Sequence, residues 1–116
     1  MSQQVDTGTR TFTAAGTIKR FATVQFGSGG TITEADATSG FVGVATEACI
    51  SGDVIACWLT TKQGTIKMLA HAAITRGITL EAAAAGRVAT MASGSLIGRT
   101  LEAATAQGDI IEVVIA

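Results

Sequence analysis

One motif occurs twice in this chain, and that repetition constrains its fold more than any other feature. The first copy runs Phe41-Val42-Gly43-Val44-Ala45-Thr46-Glu47-Ala48 and then Gly52-Asp53-Val54-Ile55. The second runs Leu96-Ile97-Gly98-Arg99-Thr100-Leu101-Glu102-Ala103 and then Gly108-Asp109-Ile110-Ile111. Each reads as two apolar residues and a glycine, three residues, Glu-Ala, a short polar connection, Gly-Asp and a strand-like apolar run. A strand, a glycine-containing turn and a second strand make a β-hairpin. Two such hairpins in one short chain point to a fold built by duplicating a β unit.

The rest of the chain divides in the same style. The expected strands are 11–13, 20–26, 41–45, 54–60, 65–69, 78–80, 87–91, 96–101 and 110–115. Between them lie tips such as Gly27-Ser28-Gly29-Gly30, Gln63-Gly64 and Ser93-Gly94. Many short strands with turns about every ten residues indicate an all-β protein, a compact sandwich or barrel of antiparallel strands. The chain has no proline, so tight turns fall to Gly, Asp and Ser. Gly43, Gly52, Asp53, Gly98, Gly108 and Asp109 are the structural turn residues this reading predicts. Residues 33–37 and 80–85 have helical propensity but are too short for a stable helix, so each is expected to be one helical turn or a loop.

At 116 residues the chain makes one domain, with residues 11–116 as its body. Residues 1–10 are polar around Val5 and read as an extended N-terminal arm. Apolar residues are 47% of the chain but aromatics only 4%, so the core is aliphatic. Val54–Leu59 and Ile110–Ile115 are apolar on both faces. Such strands lie in a core or under a neighbouring subunit, which predicts self-association.

Few functional classes fit the charged and reactive residues. The net charge of −1 comes from 8 basic and 9 acidic residues scattered singly, which is no footprint for nucleic acid. No apolar stretch is long enough to span a bilayer and the N-terminus is not signal-like, so a soluble intracellular product is expected. His71 is the single histidine; with only Cys49 and Cys57 beside it, a zinc site lacks ligands. The two cysteines would sit out of register across a hairpin, which favours buried thiols over a disulfide. Glu47 and Glu102 recur at matching places and invite an acid–base reading, but the repeat accounts for the coincidence. The glycine-rich loop at Gly27–Gly30 lacks the Lys-Ser/Thr of a phosphate cradle. The reading is therefore not an enzyme, with no cofactor and no metal. A small ligand-binding β-barrel, with Trp58 and His71 lining a pocket, is the alternative.

The order and spacing of these units resemble the small head-decoration, or capsid cement, proteins of tailed bacteriophages. The resemblance covers nearly the whole chain. It opens with Phe12-Thr13-Ala14-Ala15-Gly16-Thr17-Ile18-Lys19-Arg20-Phe21-Ala22. It continues through both hairpin motifs, with Ala73-Ile74-Thr75-Arg76-Gly77-Ile78-Thr79-Leu80 and Ala85-Gly86-Arg87-Val88 between them. The resemblance implies a structural virion protein, made in the host cytoplasm, that binds the outer surface of the capsid. Its partner would be the phage major capsid protein, whose intersubunit contacts it would reinforce. No catalytic residues are implied. Symmetry favours a closed oligomer, a homotrimer first and a dimer next. The candidate capsid-contact residues are those of the arm: Gln3, Gln4, Val5, Thr7, Thr9 and Arg10.

Overall fold

Short β-branched and apolar runs punctuated by left-handed glycines fold here as strands joined by tight turns. A computed structural model describes residues 8–36, 41–60, 64–92 and 96–115. Five strands come from the first half of the chain: β1 (Thr9–Thr13), β2 (Thr23–Phe26), β3 (Ile32–Glu34), β4 (Gly43–Ala45) and β5 (Val54–Leu59). Five follow from the second: β6 (Thr65–Leu69), β7 (Thr79–Ala82), β8 (Val88–Thr90), β9 (Leu96–Thr100) and β10 (Ile110–Ile115). They form two antiparallel sheets, ordered β1-β5-β4-β2-β3 and β6-β10-β9-β7-β8, which make a compact sandwich.

The two sheets are the same structure twice. A shift of 56 positions carries Thr9 to Thr65, Thr23 to Thr79, Ile32 to Val88 and Val54 to Ile110. Smaller features follow the same rule. The parallel bridge Ala14–Ile32 returns as Ala70–Val88, and the bridge Ile18–Cys49 as Ile74–Ala104, where the shift is 55 for Cys49 to Ala104 as it is for Gly43 to Gly98. Single 3-10 turns link β2 to β3 (Ser28–Gly30) and β7 to β8 (Ala84–Gly86). The duplication expected of one hairpin thus extends to the whole five-stranded unit.

Gly43 and Gly98, expected as turn residues, lie instead within strands β4 and β9, and their close approach to the next strand explains why glycine sits there. A Cβ on Gly43 would lie 2.1 Å from the Trp58 carbonyl oxygen, and one on Gly98 would lie 2.1 Å from that of Val114. Both strands press so closely on their neighbours that no side chain fits. Gly52 and Gly108 meet a different demand, with φ of +93° and +91° in the hairpin turns.

One continuous core joins the halves. Ile18, Val24, Ile32, Val44, Ile55 and Cys57 pack in a single cluster with Met68, Leu80, Val88, Ile97, Ile111 and Val113. Burying each Ile, Leu or Val contributes roughly 1.5–3 kcal/mol, so aliphatic volume alone can support the fold. Gly86 stitches the two units: its N–H donates to the Ala35 carbonyl at 2.9 Å, and a Cβ there would meet that of Ala22 at 2.7 Å.

Several sequence expectations need correction. β1 begins at Thr9, so Thr9 and Arg10 belong to the first sheet, paired with Trp58 and Cys57. Ile32–Glu34 is a strand, although 33–37 was expected to be a helical turn or loop. Its pairing with β2 outweighs local propensity, and the Glu34 carboxylate accepts Lys19 Nζ at 2.7 Å and Lys19 N–H at 2.9 Å. The 80–85 stretch divides between the end of β7 and its 3-10 turn. By contrast, Val54 and Ile110 on β5 and β10, 66% and 53% exposed, leave open the expected covering of these strands by a neighbouring subunit.

Candidate functional site

Of the candidate capsid-contact residues, the structure describes Thr9 and Arg10. Gln3, Gln4, Val5 and Thr7 lie outside the described residues. The Arg10 guanidinium sits over the Phe12 ring at 4.8 Å, and Phe12 in turn meets Phe26 edge-on at 6.3 Å. β1 is the outer strand of its sheet, with β5 beside it. Gly8 accepts the Leu59 N–H at 2.7 Å and Ala14 donates to the Asp53 carbonyl at 2.8 Å. The alternation between those two pairs aims Arg10 and Phe12 backbone groups at β5, and those of Thr11 and Thr13 away from it.

The turn residues form a local network. Asp53 Oδ2 accepts the Ile50 N–H at 3.1 Å. Asp109 Oδ2 accepts the N–H and hydroxyl of Thr105 at 2.8 and 3.0 Å, and the Ala106 N–H at 3.2 Å. Hydrogen bonds from the Thr105 backbone and hydroxyl, then the Ala106 N–H, hold its carboxyl below the ordinary range.

The other titratable candidates are kept apart. Glu102 Oε1 accepts the Glu112 N–H at 2.8 Å, whereas Glu47 stands exposed at the matching place of the other sheet. His71 donates its backbone N–H to the Val88 carbonyl at 2.8 Å. Among the described residues, no group of three or more His, Cys, Asp or Glu is placed to hold a metal. The thiols of Cys49 and Cys57 are free and buried. Burial, with a smaller push from Cys49, raises the Cys57 thiol to about 11.

A cleft of about 500 Å³ opens beside Trp58, Thr65, Ile66, Lys67, Glu102 and Glu112. It takes in Trp58 but not His71, the two residues a ligand-binding barrel would have brought together. Its polar groups are largely engaged in the sheet itself, the Glu112 carboxylate accepting the Thr65 hydroxyl at 2.7 Å.

Several large apolar side chains stand on the surface. Phe26, Ile50 and Val54 are exposed on the first unit, and Met91, Leu96, Leu101, Ile110 and Val114 on the second. Every aromatic residue belongs to the first unit. Val54 and Ile110 occupy equivalent places, so the duplication itself presents two matched apolar strand faces. Aligning the two halves would have revealed that equivalence; hydrophobicity alone could not say which face stays open.

The duplicated units make an all-β sandwich that leaves large apolar side chains on its strand faces. The chain belongs to the phage cement protein family, whose model matches residues 2–115. It therefore has a cement role in a phage capsid, as a structural virion protein. The fold is also that of a solved structure described as the head fiber gp8.5 N base of bacteriophage phi29. That likeness has a TM-score of 0.76 at 18% identity, over 93% of this chain and 92% of the other. No curated protein sequence matches the chain.

Proposed function

We propose that the protein decorates the outer surface of the capsid and bridges neighbouring copies of the major capsid protein, acting as a closed homotrimer. The observation carrying this reading is the exposure of Val54 and Ile110 on equivalent strands. Single exposed apolar residues are ordinary on any surface. Two at matched positions, with Val114 further along β10, supply apolar faces that a neighbouring copy can cover. A ring of copies then engages the lattice through several weak contacts at once, and effective concentration turns these into firm attachment.

Residues 2–7 act in this reading as an arm that reaches an adjacent subunit by backbone pairing. The protein is made in the host cytoplasm and joins the assembled shell. Its task is mechanical reinforcement rather than catalysis.

Reconstitution tests this directly. Undecorated capsids mixed with the purified protein are expected to take it up at a stoichiometry commensurate with the major capsid protein, and to resist heating better. Sedimentation of the free protein is expected to give a trimer. A strict monomer both free and on the particle removes the oligomer, and absence of uptake removes the outer-surface role.

A further inference from the structure

The two halves of the chain do not meet symmetrically. The 3-10 turn of the second half inserts against the first, where the Gly86 N–H donates to the Ala35 carbonyl. A Cβ on Gly86 would lie 2.7 Å from that of Ala22, 3.2 Å from the Thr23 carbonyl oxygen and 3.3 Å from the Glu34 Cβ. The reciprocal contact would set Gly30, the counterpart of Gly86, against Ile78, Thr79 and Met91, the counterparts of Ala22, Thr23 and Ala35. Gly30 does not make it. A Cβ there would meet nothing within 4 Å, although the backbone has the same form, at φ +80° against +72°.

The joint is therefore head-to-tail, and it leaves a matching half of a joint open at each end of the molecule. Ala22, Thr23, Ala35, Ala82 and Ala83 are all buried. Their counterparts Ile78, Thr79, Met91, Phe26 and Gly27 all stay partly or largely open, Phe26 by 65% and Met91 by 37%. Backbone geometry is the same in both halves: Gly27 donates to the Thr31 carbonyl as Ala83 does to that of Arg87, and Met91 to that of Thr79 as Ala35 does to that of Thr23. The side chains differ in one direction. Alanines suffice where the chain itself holds the joint, whereas Phe26, Ile78 and Met91 stand at the open ends, where burial has to supply the attraction. Glu34 at the internal joint is Thr90 at the open one, so closing it strands no carboxylate there.

We propose that the open turn of one copy, at Phe26 and Gly30, docks on Ile78, Thr79 and Met91 of a second copy, repeating between chains the joint that Gly86 makes within one. This rests on the homotrimer reading given above and names the contact that closes it. A head-to-tail contact either closes into a ring or runs on as a filament. In a ring of three copies, internal and external joints alternate and both open ends of every copy are covered. The occupant is a second copy because the chain already carries both halves of the joint in the right backbone form. A partner of another fold would have to supply a turn for one end and a strand end for the other.

Cysteine cross-linking of the full protein tests the pairing. Gly30→Cys and Ile78→Cys take the places of Gly86 and Ala22, and the joint brings them within disulfide reach, about 4.5 Å between Cβ atoms. The oxidised double variant is expected to give a covalent ladder that stops at three chains, and a mixture of the two single variants to stop at two. Each single variant alone stays uncross-linked, as does the wild type, whose Cys49 and Cys57 are buried. Met91→Glu leaves the left-handed turn untouched and is expected to weaken self-association at least ten-fold in sedimentation, with an unchanged circular dichroism spectrum. Trimers of the double variant that do not cross-link overturn the proposal, as does wild-type self-association of Met91→Glu. Dimers of Gly30→Cys alone would show turn meeting turn, and a ladder running past three chains would show a filament; either overturns the closed ring. A wild-type protein that is monomeric both free and on the particle is a distinct result, which removes the homotrimer reading and this joint with it.

Discussion

Phe21 and Gly77 occupy the same left-handed backbone position in the two halves, at φ of +65° and +84°. Both N–H groups donate at 3.0 Å to equivalent carbonyls, of Ala45 and Thr100. Glycine takes this conformation without strain, whereas an L side chain pays roughly 1–2 kcal/mol. Phe21 is retained because its ring is buried and stacked on Trp58, 6.3 Å away and inclined by 11°, with the Arg20 guanidinium 4.6 Å above it.

That conflict between backbone and side chain gives an unusual ranking. Phe21→Ala loses the ring and keeps the strain, and is expected to destabilise by about 3–5 kcal/mol. Phe21→Gly loses the same ring but relieves the backbone, so it should be about 1 kcal/mol more stable than Phe21→Ala. The usual preference for alanine over glycine is thereby inverted. Ala85, at φ +59° where the other half has Gly29, is expected to gain about 1 kcal/mol as Ala85→Gly. Urea denaturation of these variants checks the ranking.

Gly43 and Gly98 should be among the least replaceable residues of the chain. The clash a Cβ would create is with backbone carbonyls of the adjacent strand, which no rotamer change relieves. Gly43→Ala and Gly98→Ala are each expected to cost about 3 kcal/mol or more, at or beyond the upper end of ordinary overpacking. Gly16→Ala meets nothing within 4 Å and serves as the control. Thermal unfolding followed by circular dichroism separates the three.

The recurrence of Gly43 and Gly98 was legible, though as turn residues rather than the strand residues they are, and the reason other equivalences were not is physical. Gly43 and Gly98 answer a demand no other residue meets, so the motif keeps its letters. Elsewhere the halves share geometry but not residues: Phe12 and Met68 fill matching core places, and Phe21 and Gly77 share one φ. A packing site needs volume and apolarity, which many residues supply. The turn spacing announced most strands because glycine marks their ends. β3 escaped notice because Thr33-Glu34-Ala35 has helical propensity, and the pairing that makes it a strand comes from β2. For β5 and β10 the sequence left a choice between core and neighbouring subunit. An apolar run records that both faces avoid charge, not which of them the fold covers.

Cys57 should make stability fall in alkali. Its thiol, raised to about 11 chiefly by burial, keeps its proton in the folded protein after an unfolded thiol has ionised near pH 9. The stabilisation is fully present below the unfolded value and is lost as the pH rises from about 9 towards the folded value. The loss is on the order of 2 kcal/mol. Wild-type protein and Cys57→Ala are expected to converge in stability between pH 8 and pH 11 in urea melts. The native Cys57 thiol should also react with an alkylating reagent far more slowly at pH 8 than it does once unfolded.

The N-terminal residues can be divided by where β1 begins. Gly8 accepts the Leu59 N–H, and Thr9 and Arg10 are paired in the sheet, so these three belong to the fold. Deleting residues 2–7 leaves that pairing in place, and the free domain's melting temperature is expected to stay nearly unchanged. Extending the deletion through Arg10 removes part of β1 and the cation above Phe12, and should lower the melting temperature by several degrees. If residues 2–7 reach a neighbouring subunit, the shorter deletion weakens binding to undecorated capsids several-fold with no loss of stability. Equal decoration by the shortened and full chains would show that attachment resides in the sandwich alone.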